Sequence, residues 1–277
     1  KILGRAPAVA TGLKLARPEL EVWLATGDGD AMSIGGNHFI HLLRRNVGIK
    51  VLMFNNRIYG LTKGQYSPTS EMGKKTKSPP YGSPDTPFNP LALALGAGAT
   101  FVARSVDFFQ PHLKSVLRRA AAHQGTAFVE IYQNCNIFND GAFSYLTDKE
   151  GRENAGLYLE HGKPLIFGKE KNRGIRMRGT EMEVIELGGE FSDADCVVWD
   201  EKLTNPATAF LAAQLLPPQF PTALGVFRAV EHTTYESTVV GQLTHAIESQ
   251  GEGKLEDLLR QGDTWTVEAS TAASSAS

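Results

Sequence analysis

The sequence predicts an α/β protein built on a doubly wound, mostly parallel sheet. Two observations carry that prediction. Short apolar runs alternate with helix-periodic segments through the first half of the chain, and two of those runs end in matched polar tips. Val22-Trp23-Leu24-Ala25 leads into Gly27-Asp28-Gly29-Asp30, and Ile49 to Phe54 leads into Asn55-Asn56. The segment between them, Gly35 to Arg45, reads as a helix. A strand-helix-strand crossover sets the two strand tips side by side on one sheet edge. That edge gathers a carboxylate, a carboxamide and free backbone groups, a hard-oxygen pocket suited to Mg²⁺ carrying a phosphorylated ligand.

In chain order, Ala6 to Arg17 is rich in Ala and Leu and stops at Pro18, a helix by propensity and by terminator. Glu21 to Thr26 is the first strand. Gly35 to Arg45 places Phe39, Leu42 and Leu43 at helical spacing and closes on Arg44 and Arg45, which favour a helix C-terminus. Ile49 to Phe54 is the second strand. Asn56 to Phe88 is irregular, with Pro68, Pro79, Pro80, Pro84 and Pro87 among many Gly, Ser and Thr; a connection of this length is a binding loop or a disordered one. Pro90 to Leu95 is a short helix, Ala99 to Ala103 a third strand and Gln110 to His123 the next helix. Ala127 to Tyr132 is a fourth strand ending at Gln133-Asn134-Cys135.

The pattern changes after Lys149. Strand-like pieces appear at Pro164 to Phe167, Glu183 to Leu187 and Cys196 to Trp199. A helix is expected over Pro206 to Leu215, with further candidates at Ala223 to Val230 and Thr238 to Ser249. The expected organisation is a sheet domain over 1–149, a smaller α+β C-terminal lobe over 150–265 with no chemistry-bearing motif, and a low-complexity, disordered tail over 266–277.

With 277 residues, 42% hydrophobic and 21% charged, the chain can bury a globular core. A net charge of -2 gives no electrostatic case for nucleic acid or an acidic membrane as partner. No apolar stretch reaches the length of a membrane span, and Lys1 to Arg5 holds no signal-peptide core, so the cytoplasm is the expected compartment. Cys135 and Cys196 do not make a disulfide framework. The chain opens on Lys1 in what reads as a helix already under way, and the expectation is that further sequence precedes it.

Gly-Asp-Gly followed, one helix and one strand later, by Asn-Asn is the signature of thiamine-diphosphate enzymes. Mg²⁺ takes near-octahedral oxygen ligands at roughly 2.0–2.1 Å and brings diphosphate oxygens with it. Asp28 offers a carboxylate oxygen, Asn56 an amide oxygen and Ile58 a backbone carbonyl. Gly27 and Gly29 let backbone approach the diphosphate without a Cβ, and Asp30 orients the loop or accepts from the ligand. Alone, Gly-Asp-Gly reads equally as a strand-to-helix turn; the Asn pair after a second strand favours the cofactor. His38 and His41 stand one helical turn apart without a third ligand and read as helix packing.

The longer blocks are more specific. Gly27-Asp-Gly-Asp-Ala-Met-Ser-Ile-Gly-Gly-Asn-His-Phe39 and Asn55-Asn-Arg-Ile-Tyr-Gly-Leu-Thr-Lys-Gly-Gln-Tyr-Ser-Pro-Thr-Ser70 resemble the β subunit of 2-oxoacid:ferredoxin oxidoreductases, most of all the 2-oxoglutarate type. The likeness runs from Gly4 to Phe143, and Lys163 to Val230 resembles the C-terminal part of longer members. The resemblance implies a sheet of the thiamine-diphosphate-binding type over 1–149. It implies Mg²⁺ on Asp28, Asn56 and the Ile58 carbonyl, with Gly29, Asp30, Gly60 and Leu61 touching thiamine diphosphate. Lys63 matches a lysine implicated in contact with coenzyme A or the substrate carboxylate; a solvated surface lysine is the plain alternative. Cys135 matches the last of the cysteines that hold a [4Fe–4S] cluster through four thiolates. The other ligands are absent from this sequence, and Cys196 reads as a buried strand thiol.

The activity so implied is oxidative decarboxylation of 2-oxoglutarate, or a related 2-oxoacid, with coenzyme A to acyl-CoA, CO₂ and reduced ferredoxin. A partner α subunit would supply the glutamate that activates the cofactor, since this chain offers no matching acid. Two other readings stand beside it. One is a different thiamine-diphosphate enzyme, such as an acetolactate synthase or a non-oxidative decarboxylase, which the Asn55 to Ser70 block and Cys135 oppose. The other is a non-catalytic assembly subunit of the same fold, which Asp28 and Asn56 oppose.

Overall fold

The computed structural model describes residues 3–267 of the chain. Helix α1 (Ala6–Ala16) takes Pro7 in its first turn, where the missing N–H does no harm. Strand β1 (Val22–Gly27) runs into a short helix, α2 (Asp28–Met32), which has too few residues to show any periodicity in the sequence. Then come α3 (Gly36–Arg44) and β2 (Ile49–Asn55). Beyond the long connection, α4 (Pro90–Gly96) starts on Asn89, whose side chain accepts from the Ala92 N–H. Strand β3 (Phe101–Val106), α5 (Gln110–Ala122) and β4 (Ala127–Tyr132) complete the alternating part. The rest comprises α6 (Lys149–Ala155), β5 (Gly156–Leu159), β6 (Ile166–Phe167), β7 (Arg173–Arg178), β8 (Glu181–Glu186), α7 (Ala207–Ala213), β9 (Thr222–Ala229), α8 (Tyr235–Gln250) and α9 (Leu255–Leu259).

The main sheet has six strands in the order β1-β2-β4-β3-β9-β5. Its first four strands are mutually parallel, as the alternating pattern predicts. Gly27 lies opposite Phe54, and Asn55 opposite Tyr132, so the C-terminal tips of β1, β2 and β4 share one edge. Strand β9 then pairs antiparallel with β3, and β5 pairs parallel with β9. Strands β6, β7 and β8 form a separate antiparallel sheet.

The expected boundary at residue 149 is therefore not a break in the structure. The chain beyond it carries β5 and β9 back into the main sheet, and compactness divides the chain at Lys1–Ser237 and Thr238–Ser277 instead. The reason is an apolar strand: all of Thr222 to Phe227 is buried, and such a run needs a sheet on which to pair. Cys196 to Trp199 is not a strand but makes one bridge, Val198 to Pro164. Of the expected tail, residues 268–277 lie outside the described residues.

Two layers cover the sheet. On one face Phe39, Leu42 and Leu43 of α3 pack with Val51, Met53 and Phe128, and the Phe39 and Phe128 rings meet edge-on at 5.0 Å. Each such side chain contributes about 1.5–3 kcal/mol by leaving water. On the other face Val116 and Ala120 of α5 pack with Phe101, Val129 and Ile131. Strand β2 serves both, with Ile49, Val51 and Met53 on the first face and Leu52 and Phe54 on the second, the alternation of a pleated strand. In the second compact unit, α8 exposes Val240, Leu243 and Ile247 and α9 exposes Leu255, Leu258 and Leu259. No helix among the described residues is long and apolar enough to cross a membrane.

Candidate functional site

The β1 tip delivers Asp28 at the first position of α2, with Gly27 as the extended residue before it. Asp28 is only 2% exposed. Its Oδ2 accepts from the Ser67 hydroxyl at 2.5 Å and from the Thr69 hydroxyl at 2.6 Å. Both donors come from the long connection after β2, which folds back over the strand tips as an ordered loop. Gly73 N–H donates to the Ser83 carbonyl, and Phe88 N–H to the Pro68 carbonyl. Burial pushes the Asp28 carboxyl above its ordinary value, while the Ser67 and Thr69 hydroxyls and the Gly29 and Asp28 backbone N–H groups pull it back.

Asp30 is braced instead. Its two oxygens accept from the Gly4 N–H at 2.7 Å and the Thr26 hydroxyl at 2.8 Å, which ties the start of the chain to the β1 tip. Gly29 differs from expectation. A Cβ there would lie 2.3 Å from the Tyr59 ring, so its missing side chain is taken up by Tyr59, whose hydroxyl donates to the Gly29 carbonyl at 2.9 Å. A Cβ on Gly27 would meet nothing within 4 Å.

The β2 tip is built differently. Arg57 holds a left-handed backbone, φ +55°, which costs a residue with a Cβ about 1–2 kcal/mol. The turn is over-determined by its neighbours. Asn55 Oδ1 accepts from Arg57 N–H at 3.2 Å, Asn56 Oδ1 from Ile58 N–H at 3.3 Å, and the Ser70 hydroxyl donates to the Arg57 carbonyl at 2.7 Å. The Arg57 guanidinium sits 4.6 Å over the Phe143 ring and pairs with Glu71 at 2.8 Å. Asn55 is held from behind by a buried ion pair. Its Nδ2 donates to Glu130 Oε1 at 2.7 Å, and Arg104 Nε donates to Glu130 Oε2 at 2.6 Å. Thr69 has one hydroxyl proton and two acceptors, Asp28 and Asn55 (3.0 Å), and the carboxylate takes the stronger bond. Thr69 is thus where the two tips meet.

Asp28, Asn56 and Ile58 line one cavity of about 1290 Å³, larger than most small-molecule sites, together with Gly27, Gly29, Asp30, Gly60 and Leu61. Charge is one-sided there: Asp28, Asp30 and Asp85 line it, and no Lys or Arg among the described residues does. Nor does any group of three His, Cys, Asp or Glu among the described residues gather to hold a metal. A cation at Asp28 would therefore find one buried carboxylate and otherwise neutral oxygens. That donor set fits Mg²⁺ with phosphate oxygens filling its shell and does not suit a softer metal. Lys63 lies in the turn after Leu61, exposed and left-handed (φ +71°), and does not line the cavity. Cys135 is half-buried in a turn just past Gln133, which does line it; Cys196 packs against Gly174 far along the chain. His38 Nε2 meets Arg5 Nη1 at 2.7 Å. Ser67, Thr69, Tyr59 and Glu130 are site residues that motif reading passed over.

Residues 1–131 match the family model described as thiamine pyrophosphate enzyme, C-terminal TPP binding domain. The chain is 50% identical over 270 residues to the 2-oxoglutarate oxidoreductase subunit KorB of Mycobacterium tuberculosis, covering 96% of this chain and 72% of that one. It is 48% identical over 139 residues to the 2-oxoacid:ferredoxin oxidoreductase 1 subunit beta of Aeropyrum pernix, covering 50% of this chain and 44% of that one. Its fold is similar to the 2-oxoglutarate:ferredoxin oxidoreductase from Magnetococcus marinus, solved with 2-oxoglutarate, coenzyme A and succinyl-CoA bound. The TM-score is 0.67 and the identity 28%, over 93% of this chain and 72% of that one. Strand tips, buried carboxylate and relatives converge: the chain belongs to the β subunits of the 2-oxoacid:ferredoxin oxidoreductases.

Proposed function

We propose that this chain is the diphosphate-binding half of a thiamine-diphosphate-dependent oxidoreductase that decarboxylates 2-oxoglutarate with coenzyme A and passes electrons to ferredoxin. The observation that carries the reading is the juxtaposition of buried Asp28 with Asn56 and Ile58 on one cavity at the strand edge. Asp28, the Asn56 amide and the Ile58 carbonyl would hold Mg²⁺. Gly27, Gly29, Asp30, Gly60 and Leu61 would lie along the cofactor. When bound, thiamine diphosphate supplies a carbon nucleophile and an electron sink. This chain's part is to fix the diphosphate, offset the cost of ionising Asp28 through the Ser67 and Thr69 hydroxyls, and exclude water beneath the Ser67–Phe88 loop.

Lys63 would meet an anionic group of coenzyme A or substrate from its exposed turn, since a lysine is a compact point charge for such a partner. Cys135 would be one thiolate of a [4Fe–4S] cluster, completed by residues outside this sequence. The activating acid and the cations for the 2-oxoacid carboxylates would come from a partner α subunit, and the assembly would work in the cytoplasm. The relatives' names support substrate and assembly.

Titration calorimetry with thiamine diphosphate and Mg²⁺ tests the site: binding is expected for the wild type and none for Asp28→Ala. Purified with its α subunit, the complex is expected to reduce a viologen fastest with 2-oxoglutarate. A faster rate with pyruvate or a branched 2-oxoacid would overturn the substrate assignment.

A further inference from the structure

We infer that Asn139 is a positioning residue that fastens the turn carrying Cys135 to the backbone presenting Asn56, so that the two are set as one unit. The inference rests on the cofactor reading above and goes beyond it to a residue with no place in the site itself. Asn139 is 5% exposed, although it follows the exposed Ile137. Its side chain is fully engaged. Nδ2 donates to the Asn56 carbonyl at 2.9 Å and, at 3.4 Å, toward the Arg57 carbonyl; Oδ1 accepts from Lys74 Nζ. Its backbone N–H donates to the Cys135 carbonyl at 2.9 Å, closing the turn.

The amide orientation is fixed by chemistry: two carbonyls require the NH₂ group, and an ammonium requires the oxygen. Only Asn fits all of these at once. Asp would set a carboxylate against two carbonyl oxygens. The consequence at Asn56 is specific. Its main-chain carbonyl is held by Asn139, while its side-chain oxygen accepts from Ile58 N–H and keeps a second lone pair for a ligand.

A second contact joins the same two segments. The Phe138 ring lies against Gly64, where a Cβ would come within 3.0 Å of it and where φ is +99°. The Cys135 turn therefore grips the cofactor loop at both ends, Asn56 and Gly64. The left-handed Arg57 lies between the two contacts and would relax if the grip were lost. Coupling between sites is reciprocal, so a ligand that orders Asn56 should also restrain Cys135.

The test uses the full chain freed of metal by a chelator. Thiamine diphosphate with Mg²⁺ is titrated by calorimetry, and alkylation of Cys135 by iodoacetamide is followed by mass spectrometry with and without that pair. In the wild type, binding is expected, and saturation slows alkylation about threefold or more. Absence of binding overturns the cofactor reading and the inference with it; binding without protection of Cys135 overturns the inference alone. Asn139→Asp is expected to bind about tenfold more weakly and, once saturated, to alkylate at the same rate with and without the pair. A purely structural residue would lower stability and leave that protection ratio unchanged. Should Asn139→Asp lack a cooperative thermal transition, Lys74→Met decides, because it frees Oδ1 and keeps the donors. It is expected to bind about threefold more weakly with reduced protection. Wild-type binding and wild-type protection in a folded variant overturn the inference.

Discussion

The two strand tips that make the site are held in opposite ways. At the β1 tip, Asp28 starts a short helix in ordinary geometry, and its difficulty is electrostatic: a charge out of water, relieved by two hydroxyls. At the β2 tip, Asn56 is uncharged, and the difficulty is conformational: a left-handed Arg57 pinned by Asn55, Ser70 and Asn139. One tip carries unfavourable solvation and the other backbone strain, and Thr69 bonds to both. A ligand that needs both groups would relieve the first and depend on the second.

The comparison breaks most severely behind the β2 tip. Glu130→Ala leaves Arg104 buried without its partner and Asn55 without its acceptor. Chemical denaturation is expected to show a loss of about 3–5 kcal/mol. A loss under 1 kcal/mol would mean that the pair does not hold the tip.

Asp28→Asn separates the two difficulties at the β1 tip. Because the folded-state carboxyl titrates above its unfolded value, folding takes up a proton between those values; the penalty is absent below the unfolded value and complete above the folded one. The variant should therefore gain apo stability on the order of 1 kcal/mol relative to wild type once the pH exceeds the folded-state value, and none at low pH. It should also bind thiamine diphosphate with Mg²⁺ about a hundredfold more weakly, a difference of about 2.7 kcal/mol. A destabilised apo protein would show that the ionised group is not under strain.

Thr69→Val should weaken binding about tenfold, the loss of one hydrogen bond to a charged group. Combined with Asp28→Asn it should lose less than the sum of the two changes, since both act on one bond. Full additivity in the double-mutant cycle would place Thr69 outside the Asp28 contact. The smallest effect is expected from Tyr59→Phe. It keeps the ring on Gly29 and removes only the hydroxyl bond to a neutral carbonyl, for a loss of about 1 kcal/mol or less in thermal stability and little change in affinity.

Much of the first half was legible because its strands are apolar, its helices periodic and its tips polar. Asp28 and Asn56 could be set on one edge from sequence because strand–helix–strand topology leaves no choice about which edge the two tips share. Ser67 and Thr69 were not, since a hydroxyl residue in a Pro-rich loop looks the same whether it bonds a carboxylate or water. Arg104 and Glu130 did leave a signal. Each is the one charged residue of its strand, and the parallel register sets them opposite one another. A charge inside such a run needs a partner. The domain boundary at 149 was misjudged for a related reason. Pairing of β9 with β3 joins residues far apart in sequence, and periodicity says nothing about which sheet a strand will join.

The acidic lining of the cavity has a consequence for loading order. A doubly charged acid drifting toward a chamber fringed by Asp28, Asp30 and Asp85 meets like charge, screened only beyond about 8 Å at physiological salt. A diphosphate that arrived with Mg²⁺ would tolerate that field because the metal would enter with it; a free dicarboxylate would have no such escort. On the proposed reading the coenzyme would settle on this chain first, and the fuel would need positive charge at the rim, from Lys63 or from another polypeptide.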